Sequence, residues 1–338
     1  MREVTPENAA DYLRETGRVP AGRGVEARAL GWGVSNVVIR VEVAGEAPFV
    51  LKQARERLRT EALWLSRLDR VWNERAALGL LGSVLPEGSV PRVLFSDEDN
   101  YLFAMTCAPD DSVVWKGPLL AGRTDTAVAR RAGALLATAH AATRDHTALA
   151  GRLTDTTVFG ELRVDPFYRT IARAHPEIAP QVEALIASMS RTNHRCLVLA
   201  DFSPKNILVH SRGLTLVDFE TAHAGDPAFD LGFFLSHLYL KAFRGKSADE
   251  ATPRPPGQAA VAFLELVHEF LAAYRANQAV AALAGPHSLG DSPPVSWHTA
   301  ACMLARVDGT SPVDYLDEGA RLAVRTRCLE ILRRAPAV

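Results

Sequence analysis

Residues 197–220 read LVLADFSPKNILVHSRGLTLVDFE, and this stretch decides the fold. Two apolar runs rich in β-branched residues flank a polar loop, which is the pattern of two strands joined by a turn. Asp201 precedes the loop and Asp218 follows the second run. Carboxylates next to buried strands are costly unless a positive charge or a metal compensates them. The stretch therefore predicts a β-hairpin whose acids either hold a turn or do chemistry.

The composition is that of an ordinary folded protein with room for one large domain or two lobes. The chain has 338 residues, 48% hydrophobic and 23% charged, with a formal net charge of −1. This charge offers no basic field for nucleic acid. The four cysteines are scattered, and the first residues lack the pattern of a signal peptide. We expect a cytoplasmic protein, a monomer or a homodimer, that binds neither nucleic acid nor membranes.

The pattern of hydrophobic residues changes along the chain. Residues 27–54 alternate or run apolar between glycines, which is typical of antiparallel strands. Residues 126–143 and 177–190 are rich in Ala and Leu at helical spacing. The change falls near residues 106–113, which we interpret as a hinge. We predict an α+β, bilobal protein, with a sheet lobe over residues 1–107 and a mainly helical lobe over residues 108–338.

Several residues of the predicted sheet lobe suit phosphoryl transfer, which needs a flexible cover over the phosphates and a lysine that binds them. The glycine-rich stretch GWGVSN, residues 31–36, lies between two predicted strands, although an ordinary hairpin is the alternative. Lys52 ends the apolar run FVLK and needs a partner if it is buried. The alternative is an edge-strand lysine that reaches solvent. Glu74 is our candidate for the acid that orients Lys52, with Glu61 as second choice; both are otherwise exposed helix charges.

The opening loop supplies the remaining parts of such a site. Asp201 and Asn206 are five residues apart across a turn. This spacing can direct Asp201 at an acceptor hydroxyl while the amide oxygen of Asn206 binds Mg²⁺. A hairpin would bring Asp218 beside Asn206 as a second metal ligand. The alternative is that these residues only stabilise a turn and a strand end.

The segment ADFSPKNILV…LTLVDFETAHAGDPAFDLG resembles the catalytic core of the aminoglycoside phosphotransferase family, small-molecule kinases that include choline and methylthioribose kinases. The resemblance implies a protein-kinase-like fold, ATP or GTP, and Mg²⁺. It implies Asp201 as the catalytic base and Asn206 with Asp218 as metal ligands. It also implies a nucleotide site formed by Gly31, Gly33, Ser35, Asn36, Lys52, Glu74, Met105 and Cys107.

Other positions are assigned through the same resemblance. Asp230 matches an acid that braces the catalytic loop, and we also count it among candidates for the acceptor site, with Glu220, Lys205 and Trp115. The alternatives are a carboxylate near the metal or in solvent for Glu220, a solvent-facing loop lysine for Lys205, and a packed core residue for Trp115. The family pattern has His-Gly before the catalytic base, whereas this chain has Leu199 and Ala200.

The resemblance implies an ATP-dependent O-phosphotransferase. Its acceptor would be a hydroxylated small molecule such as an aminoglycoside, a nucleoside antibiotic or a sugar, with a role in antibiotic resistance. One alternative is a methylthioribose-type sugar kinase, favoured by VLKQA, VVWKGPLLAG and the C-terminal tail. The other is a nucleotide-binding module without turnover, suggested by the departure from His-Gly.

Overall fold

The computed structural model describes residues 1–31, 36–55, 66–144, 147–191, 195–244, 256–281 and 295–336. The strands are β1 (Val25–Ala29), β2 (Asn36–Val43), β3 (Phe49–Ala54), β4 (Val93–Asp97), β5 (Leu102–Thr106), β6 (Val113–Val114), β7 (Cys196–Val198), β8 (Ile207–His210), β9 (Gly213–Leu216) and β10 (His223–Gly225). The helices are α1 (Ala9–Glu15), α2 (Val71–Val84), α3 (Lys116–Leu120), α4 (Thr126–Thr143), α5 (Thr157–Phe159), α6 (Thr170–Ala174), α7 (Ala179–Ser190), α8 (Ala228–Ala242), α9 (Pro256–Arg275), α10 (Val295–Asp308) and α11 (Glu318–Leu332). A π-helix, Gly160–Arg169, joins α5 to α6.

The N-terminal lobe is a five-stranded antiparallel sheet in the order β1-β2-β3-β5-β4. Strand β3 is buried along its whole length because both faces of the sheet are covered. Leu51 packs in the cluster that includes α1, whereas Val50 packs in the cluster that includes α2 and the C-terminal lobe. Since side chains alternate along a strand, Lys52 lies on the same face as Val50. The sheet thus directs this lysine toward the other lobe.

The C-terminal lobe is mainly helical, and two of its helix pairs pack at very short range. Helix α4 approaches α9 at Gly133, where an added Cβ would lie 2.2 Å from the carbonyl oxygen of Phe270. Helix α8 approaches α10 at Gly232, where an added Cβ would lie 2.4 Å from the Cβ of His298. Glycine is required at both positions because the opposing backbone cannot move as a flexible side chain can.

The opening stretch forms the predicted hairpin. Strands β8 and β9 pair antiparallel with Ile207 opposite Leu216. One residue further, the amide of Val217 donates to the carbonyl of Asn206 at 3.1 Å. Asp218 follows in the left-handed conformation with φ +71°. The hairpin therefore brings the ends that carry Asn206 and Asp218 together.

The α+β bilobal architecture predicted from the sequence is confirmed, with the antiparallel sheet in the first lobe and the helices in the second. The last sheet strand ends at Thr106. The boundary after residue 107 stays a prediction. Among the helices of the described ranges, none is long and apolar enough to cross a membrane. Residues 32–35 of the glycine-rich stretch and Glu61 lie outside the described residues.

Candidate active site

Lys52 is at the centre of a buried charge cluster between the lobes. Its side chain is 5% exposed, and its Nζ lies 2.5 Å from Glu74 Oε2 and 2.7 Å from Asp218 Oδ1. Glu74 comes from the first turn of α2. The structure thus pairs the lysine with the acid that we preferred from sequence, and adds the acid at the end of the hairpin.

The pKa values of this cluster separate its two acids. Burial raises the pKa of Glu74 to about 7 despite the charge of Lys52. Burial also opposes ionisation of Asp218, but the charges of Lys52 and Lys205 outweigh it and lower its pKa to about 2. The pKa of Lys52, which burial alone would lower, is raised by Asp218 and Glu74. A charged lysine therefore faces an ionised Asp218, and burial makes Glu74 the harder of the two acids to ionise.

Asp201 is 6% exposed and both of its carboxylate oxygens are bound. Arg163 Nη2 lies 2.8 Å from Oδ1, and Lys205 Nζ lies 2.8 Å from Oδ2. Asn206 Nδ2 donates to Oδ2 at 2.9 Å and to the Asp201 carbonyl at 3.0 Å. Because the amide nitrogen of Asn206 faces Asp201, its amide oxygen is directed away from that carboxylate.

Arg163 is a site residue that the sequence reasoning missed. It lies on the π-helix, and besides Asp201 it binds the carbonyl of Ala200 through Nε at 2.6 Å. It comes from 38 positions before the loop and belongs to no motif that we recognised. Only a covarying partner in related sequences would have indicated it.

Asp230 braces the catalytic loop through its backbone. Its two carboxylate oxygens accept hydrogen bonds from the amides of Leu199 at 2.7 Å and Ala200 at 2.8 Å. On the other side, His140 Nε2 lies 3.1 Å from Asp230 Oδ2, and Tyr274 Oη lies 2.8 Å from His140 Nδ1. Since backbone amides make the contact, the brace is compatible with the departure from His-Gly. Ala200 adopts φ +58°, a conformation that glycine adopts more readily.

Glu220 links the two lobes. Its Oε2 accepts from Arg70 Nε at 3.0 Å and from Asn36 Nδ2 at 2.7 Å. Arg70 is fully buried, and its Nη2 also donates to the carbonyl of Arg55 at 2.7 Å. Glu220, which we expected near the acceptor, is thus held in a buried contact with Asn36, which we expected near the nucleotide. Arg70 is a second residue that sequence reasoning missed.

The remaining candidates for the nucleotide site lie in different places. Met105 lies on the Lys52 face of the sheet, since β5 pairs Met105 with Val50. Cys107 is half-buried and lines a separate cavity of about 800 Å³ with residues 86–91 and the β8–β9 hairpin. Gly31 is exposed, whereas Gly33 and Ser35 lie outside the described residues.

Two candidates for the acceptor site are buried. Trp115 is 2% exposed and stacks on Phe234 with ring centroids 6.0 Å apart. Asp230 is 0% exposed. In this structure Trp115 thus packs in the core, and Asp230 is bound to the backbone amides of the loop. Lys205, with a side chain 46% exposed, is the acceptor-site candidate that is open to solvent and bound to Asp201.

The donor set at the hairpin end fits a hard divalent cation. The amide oxygen of Asn206 is directed away from Asp201, and Asp218 is ionised over the whole neutral range. Mg²⁺ favours carboxylate and amide oxygens and retains several waters. These two residues would hold it, and a bound Mg²⁺ would neutralise phosphate charge.

A sheet lysine paired with a helix glutamate, facing an aspartate from a helical lobe, is the arrangement of protein-kinase-like phosphotransferases. Comparison with known proteins agrees with this class. Residues 26–251 match the phosphotransferase enzyme family, and the chain belongs to that family. The expected kind of enzyme, a small-molecule kinase, is thereby confirmed.

Individual relatives are distant. A methylthioribose kinase from Exiguobacterium sibiricum is 25% identical over 269 residues, which cover 71% of this chain and 67% of that protein. A choline/ethanolamine kinase family protein from Mesorhizobium loti has a TM-score of 0.53 at 14% identity, covering 97% of this chain and 95% of its own. An amicoumacin kinase in complex with AMP-PNP, Ca²⁺ and Ami has a TM-score of 0.52 at 14% identity, covering 99% and 97%. These two structures share the fold.

Proposed function

We propose that the protein transfers the γ-phosphoryl group of ATP or GTP, with Mg²⁺, to a hydroxyl of a small molecule. The observation that carries this proposal is the position of Asp201. Its carboxylate is fixed by Arg163 on one oxygen and by Lys205 and Asn206 on the other, in a loop joined to the Lys52 cluster by the hairpin. Fixed orientation of this kind is what phosphoryl transfer requires from a protein.

Each residue has a role in the proposed reaction. Lys52 binds nucleotide phosphates, and Glu74 holds it in place. The acceptor hydroxyl oxygen forms a bond to the γ-phosphorus while the bond from that phosphorus to the β–γ bridging oxygen breaks, and the electron pair leaves with the nucleoside diphosphate. The hydroxyl proton passes to Asp201. Because the transition state is loose, Asp201 acts mainly by orienting the hydroxyl.

The test is transfer from radiolabelled ATP with Mg²⁺ to a broad panel of hydroxyl compounds. We expect at least one phosphorylated product with the wild type and a loss of about 10² to 10⁴ in kcat for Asp201→Asn, with ATP affinity retained. Asp99→Asn, an exposed acid in the β4–β5 turn, is the matched control and should match the wild type. Absence of transfer to every compound, or equal turnover by Asp201→Asn, would overturn the proposal.

A methylthioribose-type sugar kinase is the second candidate, and the 25% identity to a methylthioribose kinase favours it. Methylthioribose, an aminoglycoside and a nucleoside antibiotic should be compared in one assay, since the highest kcat/KM identifies the acceptor. The alternative of a binding module without turnover is disfavoured by the brace from Asp230 to the Leu199 and Ala200 amides, which holds the catalytic loop. Single-turnover kinetics at enzyme excess would separate slow chemistry from none.

A further inference from the structure

A group of basic and hydrogen-bonding side chains lies near the catalytic loop, and we call it the basic cluster: His237, Lys241, Arg306 and Tyr315. His237 and Lys241 are one turn apart on α8, Arg306 lies in the last turn of α10, and Tyr315 follows that helix. Lys241 is 2% exposed, with Nζ 5.4 Å from the centre of the Tyr315 ring. Its Nζ donates to the His237 carbonyl at 3.0 Å.

The basic cluster is continuous with the residues that hold Asp201. The guanidinium of Arg163 lies 5.3 Å from the ring centre of Phe233 and 5.9 Å from that of Phe167. Arg306 lies 5.8 Å from the same Phe167 ring, and the ring of Phe233 lies 5.0 Å from that of His237. The rings of Phe167 and Phe233 therefore pack between Arg163, which binds Asp201, and the basic cluster.

The hydrogen bonds of the two cations of the basic cluster go to neutral groups, and Arg306 Nη1 donates to the carbonyl and Oγ of Ser311 at 2.8 and 3.0 Å. Over the residues that the structure describes, neither Lys241 nor Arg306 forms an ion pair with an acid. Three buried polar atoms of the cluster, within the same residues, have no hydrogen-bond partner: His237 Nε2, Arg306 Nε and Tyr315 Oη. Unpaired buried donors and cations are costly, so a site that keeps several together indicates a missing partner.

The surrounding charges make that partner an anion. Burial, followed by the charges of Lys116, Arg306 and Arg244, lowers the pKa of Lys241 to about 7. Burial and the cations, Lys241 first, hold the pKa of His237 well below its usual value. The acids whose charges act on the cluster are Asp201, on Arg306, and the exposed Asp314, on Tyr315. The charges that act on Lys241 and His237 are thus all positive, although the chain as a whole is nearly neutral.

We propose that the basic cluster receives an anionic group of the acceptor, a carboxylate or a phosphate, while a hydroxyl of the same molecule lies at Asp201. The inference rests on the proposed function and names its substrate class. An arginine, a lysine and a tyrosine hydroxyl together can surround the oxygens of such a group with donors. The same positive charges repel a polycationic acceptor.

Matched acceptors test the inference. Gluconate, glucitol and glucamine form a carboxylate series, and glucose 6-phosphate, glucose and glucosamine form a phosphate series. In at least one of the two series, we expect the anionic compound to have a higher kcat/KM than the neutral and the cationic compound. The difference should be at least about tenfold, or ~1.4 kcal/mol. Equal or better transfer to neutral or cationic members would overturn the inference and leave the proposed function intact. Absence of transfer to every compound of these series and of the broad panel, with Mg-ATP still bound, would overturn both.

A binding experiment provides a readout without turnover. With the nucleotide site filled by AMP-PNP, inorganic phosphate should raise the Tm of the wild type but not of Arg306→Met. Arg130→Met, an exposed α4 arginine paired with Glu269 at 2.9 Å, is the control and should respond as the wild type does. Tyr315→Phe removes only one hydroxyl and replaces Arg306→Met in the test if that variant does not fold. Phosphate should raise the Tm of Tyr315→Phe less than that of the wild type. Equal shifts in all variants would contradict the inference.

Discussion

Arg163 and Asp201 form a buried ion pair in which Nη2 lies 2.8 Å from Oδ1. The same guanidinium binds the carbonyl of Ala200, so one side chain from the π-helix fixes both the backbone and the carboxylate of the catalytic loop. The direction of the carboxylate is therefore set partly from outside the loop, while Lys205 and Asn206 hold its other oxygen from within. This makes Arg163 a positioning residue for the proposed reaction.

Arg163→Gln should reduce kcat about 10- to 100-fold, since small misplacement of a catalytic group has effects of this size. The KM for ATP should stay within about twofold, because the cluster around Lys52 is retained. Arg163→Lys should restore part of the rate, since lysine keeps the charge but not the two-pronged geometry. Steady-state kinetics check this, with Arg169→Gln, an exposed arginine of the same π-helix, as control. Equal rates for the Gln and Lys variants would contradict a positioning role.

Ala200→Gly should stabilise the protein by up to about 1 kcal/mol, because φ +58° costs a residue with a Cβ more than it costs glycine. The gain is limited by the larger conformational entropy that glycine gives the unfolded chain. Urea unfolding measures the difference. Ala134→Gly, at an exposed position of α4, is the matched control and should lose about 1 kcal/mol. A loss of the same size at Ala200 would show that the left-handed conformation carries no strain.

Gly133→Ala should destabilise the protein by about 2 to 4 kcal/mol, because the new methyl group would overlap the backbone of α9 at Phe270. The matched control is Gly79→Ala on α2, where nothing lies within 4 Å of an added Cβ. That variant should gain about 0.5 to 1 kcal/mol from helix propensity. Thermal unfolding of both proteins gives the comparison. Similar changes in Tm for the two would rule out the close approach of α4 and α9.

Lys241→Met should stabilise the protein in a pH-dependent way. Burial and neighbouring cations lower the pKa of Lys241 from 10.5 to about 7, so between these values the unfolded state binds more protons than the folded state. The stability of the wild type therefore rises with pH across this window, and the advantage of the methionine variant shrinks. We expect a gain on the order of 1 to 3 kcal/mol at pH 7 that falls toward pH 10. Urea unfolding at both pH values checks this, and Arg130→Met, an exposed arginine of α4, should show no such trend.

The parts of the site that sequence alone predicted are those with local patterns. The hairpin that carries Asn206 and Asp218 follows from two apolar runs joined by a polar loop. Lys52 and Glu74 were found because a buried strand lysine requires a compensating acid, and the next described helix supplies one. The lobes follow from the change between strand and helix periodicity.

The parts that sequence did not predict depend on contacts between distant segments. Arg163 and Arg70 look like ordinary helix charges until folding buries them against Asp201 and Glu220. For Trp115, the sequence left a place near the acceptor and a place in the core both open, and its ring packs on Phe234. Periodicity tells which face a residue occupies but not which segment meets it.

The short segment 218–220 has a mechanical consequence. Asp218 binds the sheet through Lys52, and two residues later Glu220 binds the start of α2 through Arg70. Moving the lobes straight apart would expose both charge pairs at once, which is costly. A rotation about an axis through these residues would preserve both contacts. An interlobe rotation that keeps both contacts would therefore pivot at the end of the hairpin that carries Asp218, and the far edge of the cleft would travel furthest.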